Sequence, residues 1–101
     1  MDYASKFATE LESKFGDRYK FGVEHGRKFD RIVQTSLTGT NGYVHAFVER
    51  ATGKLVKAAG WNAPAKYVGG VLASKYDLSD ETEYMVAVHE SDPYGGYLYA
   101  R

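Results

Sequence analysis

The sequence predicts an α+β fold: an N-terminal helix, an antiparallel sheet of three to five strands, and a second helix packed on one sheet face, in the order α-β-β-β-β-α-β. Three observations carry this. Tyr3, Phe7, Leu11 and Phe15 recur every four residues, as on one face of a helix. Later segments alternate apolar and polar residues with the period of two of a half-buried strand. Turn formers at residues 38–42 (TGTNG) and at Thr52-Gly53 separate those segments at hairpin spacing.

Helix one covers residues 2–15. Ala4 and Ala8 widen its apolar stripe, Asp2 sits where a carboxylate favours the helix dipole, and Gly16 stands where a glycine stops a helix. An aromatic stripe at this spacing is core rather than a ligand site. Tyr19, Phe21 and Val23 then alternate with Lys20, Gly22 and Glu24 as strand one, and His25-Gly26 turns the chain. Strand two spans 28–37, where Ile32 and Leu37 interrupt the alternation and admit a bulge. In strand three Val44, Ala46 and Val48 oppose Tyr43, His45, Phe47 and Glu49, and residues 55–59 return as strand four. Asn62 ahead of Pro64 marks the start of helix two, residues 63–76, with Ala65, Val68, Val71 and Leu72 as its buried stripe. Residues 84–90 (YMVAVHE) alternate again as a fifth strand, ended by Pro93 and Gly95-Gly96. The tail YLYAR either pairs as a last short strand or hangs free.

A chain of 101 residues makes one domain, within which 77–101 stands apart as an acidic, tyrosine-rich extension. Hydrophobic residues make up 44%, which argues against disorder, and no apolar run reaches the ~18 residues that span a bilayer. MDYASKF is not a secretion signal, and the absence of cysteine fits a reducing compartment, so the expected location is the cytoplasm. Thirteen basic and thirteen acidic residues cancel, which counts against a surface devoted wholly to nucleic acid. Yet Arg50, Lys54, Lys57, Lys66 and Lys75 form a block without acids, and Asp77, Asp80, Glu81, Glu83, Glu90 and Asp92 form one without bases. The blocks either solvate separate faces or partly neutralise each other, or they make a basic, phosphate-facing surface flanked by an acidic segment.

The string HAFVERATGKLVKAAGWNAPAK at residues 45–66, read as HAFVxxxTGKLVKAAxWxAPAK, resembles the signature of small proteins of tailed bacteriophages, cyanobacterial phages among them, that generally carry no assigned function. The resemblance implies a phage origin and action in the cytoplasm of the bacterial host. It carries over no catalytic or binding residue, and the segment after Asp77 has no counterpart in it.

Catalytic chemistry is thin. His25, His45 and His89 lie far apart, so a metal site would have to be assembled entirely by the fold, and no metal or other cofactor is assigned. No serine sits in a nucleophile elbow, no glycine-rich run cradles phosphates ahead of a helix, and Gly69-Gly70 falls inside the predicted second helix. The sequence therefore supports a non-enzymatic binding protein. Its leading partner is DNA or RNA, held by Arg50, Lys54, Lys57, Trp61 and Lys66, with Tyr43, His45 and Phe47 as an aromatic strand face and the helix start at 62–66 as a phosphate site. For Trp61 the favoured reading is a core plug where the hairpin meets helix two, since tryptophan is usually largely buried. The element order is similar to that of double-stranded RNA-binding domains, but Pro64-Ala65-Lys66 offers one basic residue where they use several. The alternative is a protein-binding, host-takeover or defence-countering factor. It would act on a bacterial host protein through an edge strand or through Tyr94, Tyr97 and Tyr99, with homodimerisation by edge strands as a variant.

Overall fold

The computed structural model describes residues 2–39, 42–66 and 69–99. Helix α1, Tyr3–Phe15, opens on Asp2, whose carboxylate accepts from the Ser5 N–H at 2.9 Å and the Ser5 hydroxyl at 2.7 Å. Its predicted stripe is its buried face: Ala4, Phe7, Ala8 and Leu11 are buried, and Tyr3 and Phe15 pack beside them.

Five strands form the main sheet in the order β1 (Tyr19–His25), β2 (Phe29–Ser36), β3 (Gly42–Glu49), β4 (Lys54–Val56) and β7 (Ser74–Asp77), and every neighbouring pair is antiparallel. The α+β class and its antiparallel sheet are therefore as the sequence predicts. The turn between β3 and β4 needs Gly53, which has φ of +85° and is packed so closely that a Cβ would lie 3.0 Å from the Ser79 nitrogen. Of the predicted hairpin loop at 38–42, Thr40 and Asn41 lie outside the described residues.

Two expected elements are corrected. Among the described residues 63–66 and 69–76 there is no helix. The chain instead makes a small hairpin, β5 (Ala58–Gly60) with β6 (Ala63–Pro64), then a bridge from Lys66 to Leu72, then β7. Gly69 and Gly70 explain this, because φ values of +94° and +82° in succession are incompatible with a right-handed helix. Val68, part of the predicted stripe, lies outside the described residues, and Val71 is exposed. The second helix is α2, Glu81–Glu90, across the predicted fifth strand. Asp80 caps it by accepting from the Glu83 N–H at 2.9 Å, and Tyr84, Ala87 and Val88 turn inward at helical spacing.

Both helices pack on one sheet face. Their buried residues join Phe21, Ile32, Ala46, Val48, Leu55 and Tyr76 in a single core. The C-terminal segment neither adds a strand nor hangs free through residue 99: it closes in a 3₁₀ turn, Gly96–Leu98, that sends Tyr97 and Leu98 into that core. Asp92 fixes the turn by accepting from the N–H groups of Tyr94, Gly96 and Tyr97. Ala100 and Arg101 lie outside the described residues. On the other sheet face Phe47 and Val56 are buried beneath the β5–β6 hairpin, which is tied down by a bond from Arg31 Nη2 to Asn62 Oδ1 at 3.0 Å.

Candidate functional site

The residues predicted to bind nucleic acid do not converge. Lys54 is exposed on β4 opposite Asp77, while the Lys57 ammonium lies 3.7 Å from the centre of the Tyr99 ring. Leu55 and Val56 alternate between the two sheet faces, so lysines at 54 and 57 leave the strand on opposite sides. Arg50 Nη1 donates to the Gly26 carbonyl at 2.7 Å, and its Nε stands 3.6 Å from Asp30 Oδ1. Lys66 is exposed in the bridge to Leu72. Trp61 is 45% exposed, with the Arg31 guanidinium 5.0 Å from its ring. That guanidinium is already committed, at 2.6 Å, to Glu24. No helix starts at residues 62–66, so the expected phosphate site there is absent.

The aromatic strand face is also dismantled. Tyr43 is exposed, but His45 and Phe47 are 5% and 3% exposed. A bulge is responsible. Ile32 pairs with Ala46 and Val33 with Val44, so His45 is the extra residue of β3 and is turned to the helix side, while Phe47 faces the β5–β6 hairpin. There His45 Nδ1 lies 2.8 Å from Gln34 Oε1 and Nε2 lies 2.7 Å from the Tyr97 hydroxyl. Since Oε1 only accepts, Nδ1 carries the proton and Nε2 accepts from Tyr97. Burial drives the His45 pKa down to about 4, against a smaller opposing pull from Asp92, and drives that of Tyr97 up. The imidazole is a neutral structural link. Tyr97 is thereby removed from the predicted protein-contact set, whereas Tyr94 and Tyr99 are exposed.

Two places do bring chemistry together. At the start of α1 a cavity of about 640 Å³ is lined by Asp2, His25, Asp30 and Arg50, with Arg27 and Lys28 beside them. His25 and Asp30 are register partners at the end of the β1–β2 hairpin, and α1 brings in Asp2. His25 Nδ1 stands 3.1 Å from Asp30 Oδ1, and Nε2 stands 3.4 Å from Asp2 Oδ2. The Ser5 hydroxyl and N–H hold the Asp2 carboxyl below its ordinary pKa. Spacing along the chain concealed this group; the signal was an acid and a histidine flanking one tight turn.

The second place is the outer face of α2. Glu81, Thr82, Met85, Val86, His89 and Glu90 line a cavity of about 600 Å³. Met85 is 60% and Val86 42% exposed, although both are large and apolar. Reading 84–90 as a strand hid this face, because only helical spacing puts Met85 and Val86 together with Glu81 and Glu90.

No helix among the described residues is long and apolar enough to cross a membrane. No curated protein and no solved structure matches the chain. Over residues 1–100 the sequence matches the model of a family of unknown function, DUF7717, and the chain belongs to that family.

Proposed function

We propose that this protein is a non-enzymatic binding domain and that its partner is a protein segment with apolar side chains flanked by basic ones. The observation that carries this reading is the outer face of α2. Met85 and Val86 stand exposed side by side, within a rim that includes Glu81 and Glu90. An exposed apolar pair on the solvent side of a helix whose inward face is Tyr84, Ala87 and Val88 supports an interface, and the carboxylates favour cationic flanks on the partner. The same carboxylates disfavour a second copy of this face by like-charge repulsion. The resemblance of residues 45–66 to tailed-phage proteins supports a host protein as the partner and the bacterial cytoplasm as the place of action.

A nucleic-acid reading retains one specific support: Trp61 and Tyr99 are exposed aromatic rings, each with a cationic side chain over it. Amide shifts in NMR spectra separate the two readings. An amphipathic leucine-lysine helical peptide is expected to perturb residues 81–90, with the perturbation lost in Met85→Asp/Val86→Asp. Shifts around Trp61 and Tyr99 with a single-stranded oligonucleotide, and none on α2 with the peptide, would replace the protein reading by the nucleic-acid one.

A further inference from the structure

We propose that Asp2, His25 and Asp30 bind a divalent transition-metal ion of the Zn²⁺ class. One ligand atom from each of the three lies within 4.8 Å of the others. Metal–ligand bonds of about 2.0–2.2 Å set tetrahedral ligand separations of roughly 3.4 Å. His25 Nδ1 stands 3.1 Å from Asp30 Oδ1, which matches that spacing, whereas the 3.4 Å approach of Asp2 Oδ2 is to Nε2, the other ring nitrogen. Asp2, whose carboxylate caps α1 on Ser5 and whose side chain is 44% exposed, is the ligand that has to shift toward Nδ1 to complete the set.

A second observation points the same way. Asp30 is 4% exposed, and its Oδ1 is buried without a hydrogen bond although it faces His25. An ionised carboxylate oxygen in that position carries a desolvation cost that one ion pair with Arg50, at 3.6 Å, offsets poorly. A cation between Asp30 and His25 would satisfy it directly. Arg50 would not have to leave the cavity, because Nη1 is anchored on the Gly26 carbonyl. An imidazole nitrogen with two carboxylates is a donor set for Zn²⁺ and its neighbours rather than for Mg²⁺, which prefers oxygen ligands alone. Three protein ligands leave a coordination position open toward a cavity whose other lining residues include Arg27 and Lys28. An anion on the metal would meet those cations.

The test is calorimetric titration of Zn²⁺ into tag-free, chelator-stripped full-length protein at pH 7.5, with Mg²⁺ in parallel. One equivalent of Zn²⁺ is expected to bind, and Mg²⁺ to bind far more weakly. His25→Gln and Asp30→Asn should each weaken Zn²⁺ binding by at least about tenfold. Because Asp30→Asn could disturb packing, each variant's circular dichroism is compared with that of the parent, and His25→Gln, at an exposed position, serves as the folded control. A rise of the parent's unfolding temperature with added Zn²⁺, absent in His25→Gln, gives an independent readout. Absence of stoichiometric binding, or equal affinity in the parent and in His25→Gln, would overturn the assignment and leave His25 as a clasp between two carboxylates.

Discussion

The buried His45 link makes stability depend on pH in a defined window. His45 has an ordinary pKa of 6.5, and burial lowers it to about 4 in the fold. An unfolded chain therefore takes up a proton as pH falls through 6.5, while the folded chain stays neutral until about 4. The contribution of the neutral imidazole is complete above pH 6.5, is lost progressively below it, and falls no further once pH drops beneath 4. At about 1.36 kcal/mol per pH unit, a separation of about 2.5 units is worth about 3 kcal/mol in full, most of it gone by pH 4.5. Carboxylates titrate over part of the same range, so the informative quantity is the difference between the parent and His45→Gln. Urea unfolding followed by far-ultraviolet circular dichroism supplies it; Trp61, half-exposed, is a poor reporter of the core. The parent's advantage over His45→Gln should shrink by about 2–3 kcal/mol between pH 7 and 4.5. An advantage that stays constant across that range would refute the claim that His45 is held neutral.

Two further substitutions probe the same architecture. Tyr97→Phe removes the hydroxyl that donates to His45 Nε2 and leaves that nitrogen buried and unpaired, so it should cost about 1–3 kcal/mol in urea unfolding at pH 7. Asp80→Ala deletes the cap of α2; a loss of about 0.5–2 kcal/mol, with faster amide exchange confined to the first turn of α2, is expected.

Elements that local chemistry determines were legible. The stripe of α1 and the glycine turn at Gly53 appear in the structure where the sequence puts them. The exchange between the second helix and the fifth strand has a plain cause. Residues 84–90 alternate over too short a run to tell strand from helix, and the decisive signal lay just upstream, in the N-cap Asp80, which accepts from the Glu83 N–H, while the Glu83 carboxylate reaches back to the Asp77 N–H. At 63–76 the Asn62 and Pro64 start signals outweighed Gly69-Gly70, whose positive φ values decide the matter. His45 was illegible for a different reason: a bulge exists only between two strands, so nothing within β3 announces which residue is turned inward. Nothing in the sequence joins both Asp2 and Asp30 to His25, because the group depends on how α1 meets the end of the β1–β2 hairpin.

Charge that is segregated along the chain is reconciled in space only in part, and this bears on the kind of partner the protein takes. Arg50 stands beside Asp30, Lys54 lies opposite Asp77, and Arg31, which crosses the outer sheet face to Trp61, is neutralised by Glu24. Lys57 alone of the predicted hairpin lysines is matched with an aromatic ring. The acids of α2 are different: Glu81 and Glu90 rim an apolar strip that holds no lysine or arginine. A polyanion approaching the sheet would find Arg31 and Arg50 already engaged by carboxylates, whereas a basic, apolar segment would find carboxylates and apolar side chains offered together on α2. The acidic face of α2, where carboxylates flank exposed apolar side chains, is thus where electrostatic selection of a partner can operate.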